Sequence, residues 1–226
     1  MSHPSVLFEL GGEELPPKSL LTLATALRDG VEQGLKGKGL EFAGVRFFAA
    51  PRRLGLIIDA LAPQQPDREI RADGPPVKAS FTADGQATPA ALGFARKNGV
   101  EVADLDATGE KLRLVRTVKG ESAADLLADI FDHAIKQLPI AKRMRWGSGR
   151  VEFVRPMHWL VLLYGDAVVP ASILGLNSGR TSFGHRFHHP SAVELAHADD
   201  YVEAMRSAHV LADFTERRTQ IQSVVN

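Results

Sequence analysis

The side chains best suited to chemistry are concentrated in residues 142–189. This stretch carries seven Lys or Arg against two acids, whereas the whole chain has 27 residues of each sign. Six aromatic side chains and four histidines lie among these charges. Cations neutralise phosphates, and planar side chains stack on unpaired bases, so this composition is typical of a surface that binds RNA. Two apolar strands with basic flanks would explain the same composition equally well.

The densest group of potential ligands is the run HRFHH at residues 185–189, with His158 upstream. Neutral imidazole is a good zinc ligand. However, the chain has no Cys, and no Asp or Glu lies between Asp166 and Glu194 to complete a site. We therefore expect no metal here. Contact with phosphate or RNA and structural hydrogen bonding both stay open as roles for these histidines.

Two further pairs of charged residues precede this stretch. Arg52 and Arg53 follow Pro51 at a predicted turn between strands. Arginine forks bind phosphates through two hydrogen bonds, so both are candidates for RNA contact, although solvation of an exposed turn would also explain them.

Glu13 and Glu14 lie at the predicted start of a helix. Paired acids can divide acid and base roles, but the favoured interpretation is that they complement the positive end of the helix dipole.

The elements that hold these residues are predicted to form an α+β fold, a mostly antiparallel sheet with helices packed on one face. Short apolar segments predict strands, and apolar residues three and four apart predict helices. The predicted strands are 6–10, 45–50, 54–61, 111–119, 151–153, 158–164, 168–174 and 210–213. The predicted helices are 16–34, 89–97, 121–138, 201–208 and 214–226.

Composition and the positions of Pro and Gly residues predict the domain organisation of the chain. Residues 1–74 and 110–226 are expected to form one α+β core module, and residues 75–109 a small helical insert. The last helix begins with a capping box at Asp213 and Glu216 but has no Gly or Pro terminator, so we expect it to be cut short. No signal peptide and no long apolar run are present, and we therefore expect a cytoplasmic protein without membrane contact.

Seven segments occur in the order in which one enzyme family carries them. They are FELGGEELPPKSLLTLATAL (8–27), PRRL (51–54), GPP (74–76), TPAALGFARKNGV (88–100), AKRMRWG (141–147), FVRPMHWLVLLYGD (153–166) and ILGLNSGRTSFGHRFHHP (173–190). Together they resemble the N-terminal part of the beta subunit of bacterial heterotetrameric glycyl-tRNA synthetase. The similarity covers essentially the whole chain.

This resemblance implies an aminoacyl-tRNA synthetase that joins glycine to its tRNA with ATP, by way of glycyl-adenylate, as an α2β2 assembly. It places aminoacylation, ATP and magnesium on the alpha subunit, and it implies no cofactor and no catalytic residue in this part of the beta subunit. The isolated chain is accordingly expected to be inactive as a ligase. The resemblance also implies a fold similar to the editing-type module of the phenylalanyl-tRNA synthetase beta subunit.

We therefore predict that the chain contributes binding of glycine tRNA and assembly with the alpha subunit. The candidates for tRNA contact are Arg52, Arg53, Lys142, Arg143, Arg145, Arg155, Arg180, His185, Arg186 and His188. Two alternatives stay open. A deacylase of mischarged tRNA is suggested by the editing-type module alone, and steric rejection already protects an enzyme for the smallest amino acid. A purely structural docking module is the other.

Overall fold

The computed structural model describes residues 3–225, which separate into two compact units. The first comprises residues 3–65 and 121–225, and the second comprises residues 66–120. The predicted insert, 75–109, was therefore too short. Within the described residues, the strands on either side of that segment pair with each other and with no strand of the first unit, so they belong to the insert.

The strands are β1 (Val6–Gly12), β2 (Gly44–Ala50), β3 (Arg53–Asp59), β4 (Arg68–Pro76), β5 (Lys111–Val118), β6 (Met144–Arg145), β7 (Glu152–Phe153), β8 (Met157–Tyr164), β9 (Ala167–Val168), β10 (Ser172–Ile173), β11 (Leu176–Gly179), β12 (Thr181–Phe183) and β13 (Ala192–Glu194). The helices are α1 (Pro17–Gly37), α2 (Val77–Ser80), α3 (Pro89–Asn98), α4 (Ala123–Lys136), α5 (Tyr201–Ser207) and α6 (Phe214–Val225). Among these described residues, no helix has the length and the apolar character needed to cross a membrane.

The large sheet of the first unit has the strand order β10-β11-β8-β1-β3-β2, and β9 pairs with β8 beside β11. Its neighbouring strands run antiparallel except for β8 and β11. Between the predicted strands 158–164 and 168–174 the chain turns back in a hairpin, with Tyr164 opposite Ala167. These pairings confirm the α+β class and the mostly antiparallel sheet.

One face of the large sheet is covered by α1 and α4. Successive strand residues point to opposite faces, and Val6, Phe8 and Leu10 of β1 face these helices. The apolar stripe predicted for α1 is buried, from Leu20 to Leu35. The ring of Phe8 stacks on that of Phe131 in α4 with 4.2 Å between centroids. The main apolar core therefore lies on this side.

The opposite face of the large sheet is covered by α5. Leu7, between the core-facing residues of β1, packs in a second cluster with Tyr201 and Met205 of α5. The expectation that helices pack on one face was therefore wrong. The short helix was predicted as an element, but sequence periodicity does not tell which face a helix covers.

Two other predictions of elements were wrong. No strand was predicted for residues 68–76, but β4 lies there, because none of its residues is fully buried and the segment lacks the apolar alternation that marks a half-buried strand. Residues 210–213 form no strand. The segment makes one ladder-like bond, from the N–H of Ala49 to the carbonyl of Ala212, before Asp213 caps α6.

The second unit, residues 66–120, has a small core of its own. Strands β4 and β5 form an antiparallel pair, and α3 packs with them through Ala91 and Ala95 against Leu112 and Leu114. The helix runs from Pro89 to Asn98, one residue longer than predicted, and Gly99 caps its C-terminus. The insert therefore combines a two-stranded sheet with helices, rather than being helical alone.

Candidate nucleic-acid interface

Three adjoining depressions on the first unit share the side chain of Arg186. The first, about 340 Å³, lies between the turn that joins β2 to β3 and the loop 184–187. The second, about 300 Å³, also includes Arg52 and adds His158 and Trp159. The third, about 650 Å³, lies beside Glu13 and the start of α1. We call these three depressions together the arginine cleft.

Arg52 brings positive charge to the cleft from the β2–β3 turn. Its Nε donates to the carbonyl of Gly12 at 2.9 Å, and its guanidinium carbon is 5.6 Å from the ring centroid of Trp159. Burial, followed by the nearby charge of Arg186, lowers the pKa of Arg52. An arginine stays protonated under these conditions, and the like charge of Arg186 beside it favours binding of an anion between the two guanidinium groups.

Glu13 bridges an imidazole and a guanidinium group at the edge of the cleft. Its Oε1 lies 3.0 Å from Nε2 of His158, and its Oε2 accepts from Nη2 of Arg186 at 3.1 Å. The hydrogen bond with His158 and then that with Arg186 lower the pKa of the Glu13 carboxyl group. The interpretation that Glu13 complements the dipole of α1 was therefore wrong, because the helix begins at Pro17 and has no acid in its first turn.

The loop of residues 184–189, here called the histidine-rich loop, follows β12 and holds an exposed aromatic ring beside the cleft. Nδ1 of His185 accepts from the backbone N–H groups of Phe187 and His188, each at 3.2 Å. This turn leaves Phe187 81% exposed. Within residues 3–225, no three His, Cys, Asp or Glu side chains come together in a way that could hold a metal ion.

A buried polar network lies beneath the cleft, and sequence reasoning missed it. Both Glu9 and Arg53 are almost fully buried, and Nη1 of Arg53 donates to Oε2 of Glu9 at 3.1 Å. The same carboxylate accepts 2.5 Å hydrogen bonds from Trp159 Nε1, Ser182 Oγ and Tyr201 OH. The available signal was a single Glu in the otherwise apolar segment VLFEL of β1.

Arg53 also fixes the strand that leads into the histidine-rich loop. Its Nη2 donates to the carbonyl of Phe183 at 2.5 Å. Burial is the largest single influence and disfavours its charge, but Glu9 and Tyr201 together outweigh this effect, and the pKa of Arg53 is raised. Burial and the charge of Glu9 raise the pKa of Tyr201 well above its ordinary value. The network thus holds a charged pair inside the protein and ties β1, β3, β12 and α5 together.

The sequence matches the family model of the glycyl-tRNA synthetase beta subunit over residues 6–226. The chain belongs to this family. It is 54% identical over 221 residues to a glycine–tRNA ligase beta subunit of Azotobacter vinelandii, covering 98% of the chain and 32% of that relative. The resemblance read from the sequence motifs is therefore confirmed.

Two further relatives carry the name glycine–tRNA ligase beta subunit. The one from Pseudomonas savastanoi pv. phaseolicola is 52% identical over 226 residues, which is 100% of the chain and 33% of the relative. The one from Pseudomonas aeruginosa is 52% identical over 221 residues, 98% of the chain and 32% of the relative. The chain thus spans about a third of the length of these curated relatives.

In this member of the glycyl-tRNA synthetase beta subunit family, the residues predicted to contact tRNA lie in different environments. Arg52, Arg186 and His185 line the first depression of the arginine cleft, and Arg155 lines the third. His188 neighbours the cleft, with its ring centroid 4.5 Å from that of His185. Arg53 is 2% exposed, so its predicted contact with an RNA phosphate is corrected to a structural ion pair.

The remaining candidates are not among the lining residues of these depressions. Arg145 pairs with Glu152 across β6 and β7 at 2.8 Å. Arg143 donates to the carbonyl of Lys136, and Lys142 is exposed beside it. Arg180 donates to the carbonyls of Asp166, Leu195 and Ala196, which joins the strand ends. The predicted tRNA-contact residues therefore fall into three groups: those in or beside the arginine cleft, a separate exposed cluster, and arginines with structural roles.

Proposed function

We propose that this chain is the N-terminal part of the beta subunit of a glycine–tRNA ligase and that its arginine cleft binds tRNA. The observation that carries the proposal is the arrangement of Arg52 and Arg186 in one open cleft beside the exposed ring of Phe187. Guanidinium groups neutralise backbone phosphates, and an exposed ring offers a stacking surface for an unpaired base. The relatives' name supplies the substrate, glycine tRNA.

The wider setting of the chain is part of the same proposal. In the whole protein, the beta subunit assembles with an alpha subunit as an α2β2 tetramer in the cytoplasm. The alpha subunit holds ATP and magnesium and joins glycine to the tRNA, so this chain by itself does not aminoacylate and needs no cofactor. Its core module shares the fold of the editing-type module of the phenylalanyl-tRNA synthetase beta subunit, which the mostly antiparallel sheet with helices on both faces supports.

The test is fluorescence anisotropy of labelled glycine tRNA with the 226-residue chain across a salt series, with a non-cognate tRNA for comparison. Binding should weaken steeply as salt rises, because each phosphate contact releases counterions. Phe187→Ala should weaken binding roughly fivefold or more, since a stacked base contributes about 1–3 kcal/mol. Arg186→Gln should weaken binding and reduce the log–log salt slope by about one unit.

The matched control is Arg28→Gln. Arg28 is an arginine of α1 that pairs with Asp29 and is similarly exposed, and its loss removes the same charge. It should leave tRNA binding within about twofold, because long-range charge effects are screened by salt. If the folded wild-type chain does not bind tRNA at low salt, the proposed function is overturned, and docking to a protein partner becomes the better explanation.

A further inference from the structure

The carboxylate of Glu13 lies between two side chains of the arginine cleft. Its two oxygens face different partners, His158 Nε2 at 3.0 Å and Arg186 Nη2 at 3.1 Å. The backbone of Glu13 is held independently, because its N–H donates to the carbonyl of Pro156 at 2.9 Å. The side chain itself is 43% exposed. The carboxylate can therefore leave these two partners without disturbing the loop that carries it.

The cleft keeps a positive charge that Glu13 does not neutralise. Arg52 lines the same depressions as Arg186, and its one polar contact among the described residues is with the carbonyl of Gly12. No acidic side chain within residues 3–225 lies within ion-pair distance of Arg52. A ligand with one negative charge would thus gain attraction from Arg52 in addition to that from Arg186, the cation that Glu13 now contacts.

A phosphodiester matches the place of the Glu13 carboxylate in charge and in shape. A guanidinium group binds carboxylates and phosphates through the same fork of N–H donors. Exposed ion pairs contribute little to folding stability, so replacing one anion by another costs the folded protein little. Phe187, one residue after Arg186, is 81% exposed and could stack on the base adjoining such a phosphate.

We propose that a backbone phosphate of an unpaired RNA segment displaces the Glu13 carboxylate from Arg186 and His158, with Arg52 as a third contact. This inference rests on the proposed function and assigns its ligand at atomic detail. Glu13 is an internal competitor for the cleft. The Glu13 carboxylate weakens binding of any RNA whose phosphate does not reach Arg186. An RNA that also stacks a base on Phe187 binds strongly enough to displace the carboxylate. The carboxylate thereby favours single-stranded RNA over duplex and over free anions.

The test compares Glu13→Gln with the wild type and two control variants in anisotropy titrations of glycine tRNA at one salt concentration. Glu13→Gln should tighten binding by about three- to tenfold, because a competitor is removed. Glu14→Gln removes the same charge from the neighbouring residue, which lines the cleft without a hydrogen bond to its cations, and should give a smaller gain. Glu32→Gln, on α1, should have no effect. Thermal melting of each variant confirms that it is folded.

A double-mutant cycle shows whether Glu13 acts through Arg186. The gain from Glu13→Gln should largely disappear in the Arg186→Gln background, because the carboxylate then has no guanidinium to occupy. Inorganic phosphate, compared with chloride at equal ionic strength, should displace RNA only weakly. If millimolar phosphate displaces all of the RNA, the site takes free phosphate, and the assignment of an RNA ligand is overturned.

The outcomes separate this inference from the function on which it rests. If the wild-type chain binds tRNA and Arg186→Gln weakens that binding, while Glu13→Gln leaves the affinity unchanged or lowers it, Glu13 is not a competitor and only this inference fails. An equal gain for Glu13→Gln and Glu14→Gln would also overturn it, because a general field effect would then suffice. If no variant binds tRNA at low salt, the proposed function itself fails.

Discussion

Glu9 and Arg53 form an ion pair inside the protein, on the face of the large sheet that α5 covers. Glu9 lies opposite Gly55 in the pairing of β1 with β3, so Arg53 is two residues away on the same face, and its Nη1 reaches Oε2 of Glu9 at 3.1 Å. The carboxylate also accepts hydrogen bonds from three neutral donors. The charged pair can therefore be held in the interior because each carboxylate oxygen of Glu9 accepts two hydrogen bonds.

Removing one member of this pair should destabilise the protein strongly. Arg53→Met leaves the Glu9 carboxylate buried without its cation, and Glu9→Leu leaves the guanidinium without its anion. Each should lower the free energy of unfolding by about 3–5 kcal/mol, whereas the double variant should cost clearly less than the sum of the two. Urea denaturation measures both values. Additive losses would show that the two charges do not depend on one another.

The hydroxyl group of Tyr201 should make stability fall at alkaline pH. Burial and Glu9 raise the pKa of Tyr201 in the folded protein above its value in the unfolded chain. The neutral hydroxyl therefore contributes fully to the free energy of unfolding below about pH 10, and this contribution is lost as pH rises from there towards the folded pKa. Stability measured by urea denaturation at pH 8 and pH 10.5 should fall more in the wild type than in Tyr201→Phe.

A control for this pH dependence is Tyr164→Phe. Burial also raises the pKa of Tyr164, but this residue is only half-buried and its hydroxyl donates to a carbonyl oxygen, that of Leu61. Its removal should reduce the alkaline loss of stability less than removal of the Tyr201 hydroxyl does. At pH 8, Tyr201→Phe should itself cost about 1–3 kcal/mol, because one oxygen of Glu9 loses a donor. A larger effect at Tyr164 would contradict this ranking.

Gly11 is required because the indole ring of Trp159 lies over it. The two residues are opposite each other in β1 and β8, and a Cβ atom at position 11 would lie 1.9 Å from a ring carbon of Trp159. Gly11→Ala must therefore push the ring away from Glu9, and we expect a loss of about 3 kcal/mol or more in the free energy of unfolding. Gly37→Ala is the control, since no atom lies within 4 Å of its added Cβ. Comparable losses at the two positions would refute the steric argument.

The exposed cluster of Lys142, Arg143 and Arg145 should contribute to tRNA binding without contributing to specificity. Replacing all three by Ala should weaken binding of cognate and non-cognate tRNA alike, and lower the log–log salt slope by about two units. Arg145 already pairs with Glu152, so its share of the effect should be the smallest of the three. Anisotropy in a salt series measures this. Unchanged binding by a folded triple variant would remove this cluster from the interface.

The sequence by itself determined most of the local structure and the family. The apolar stripe of α1, the Pro and Gly residues that bound α3 and the hairpin after Tyr164 follow from spacing and turn chemistry, which act over a few residues. The family followed from long motifs in a fixed order. The strand β4 was missed because none of its residues is fully buried, so its sequence has no apolar pattern to read.

Only the tertiary structure decided which charged residues are available to a ligand. Arg52 and Arg53 are adjacent and chemically identical, and both border the arginine cleft, yet Arg52 is partly exposed whereas Arg53 is buried and paired with Glu9. Successive side chains of a strand point to opposite faces of the sheet, but whether each is buried depends on which segment covers that face. Here that segment is α5, whose Tyr201 and Met205 come from a distant part of the chain. The sequence around Arg53 does not predict its contact with α5, because that contact forms only when the whole sheet is assembled.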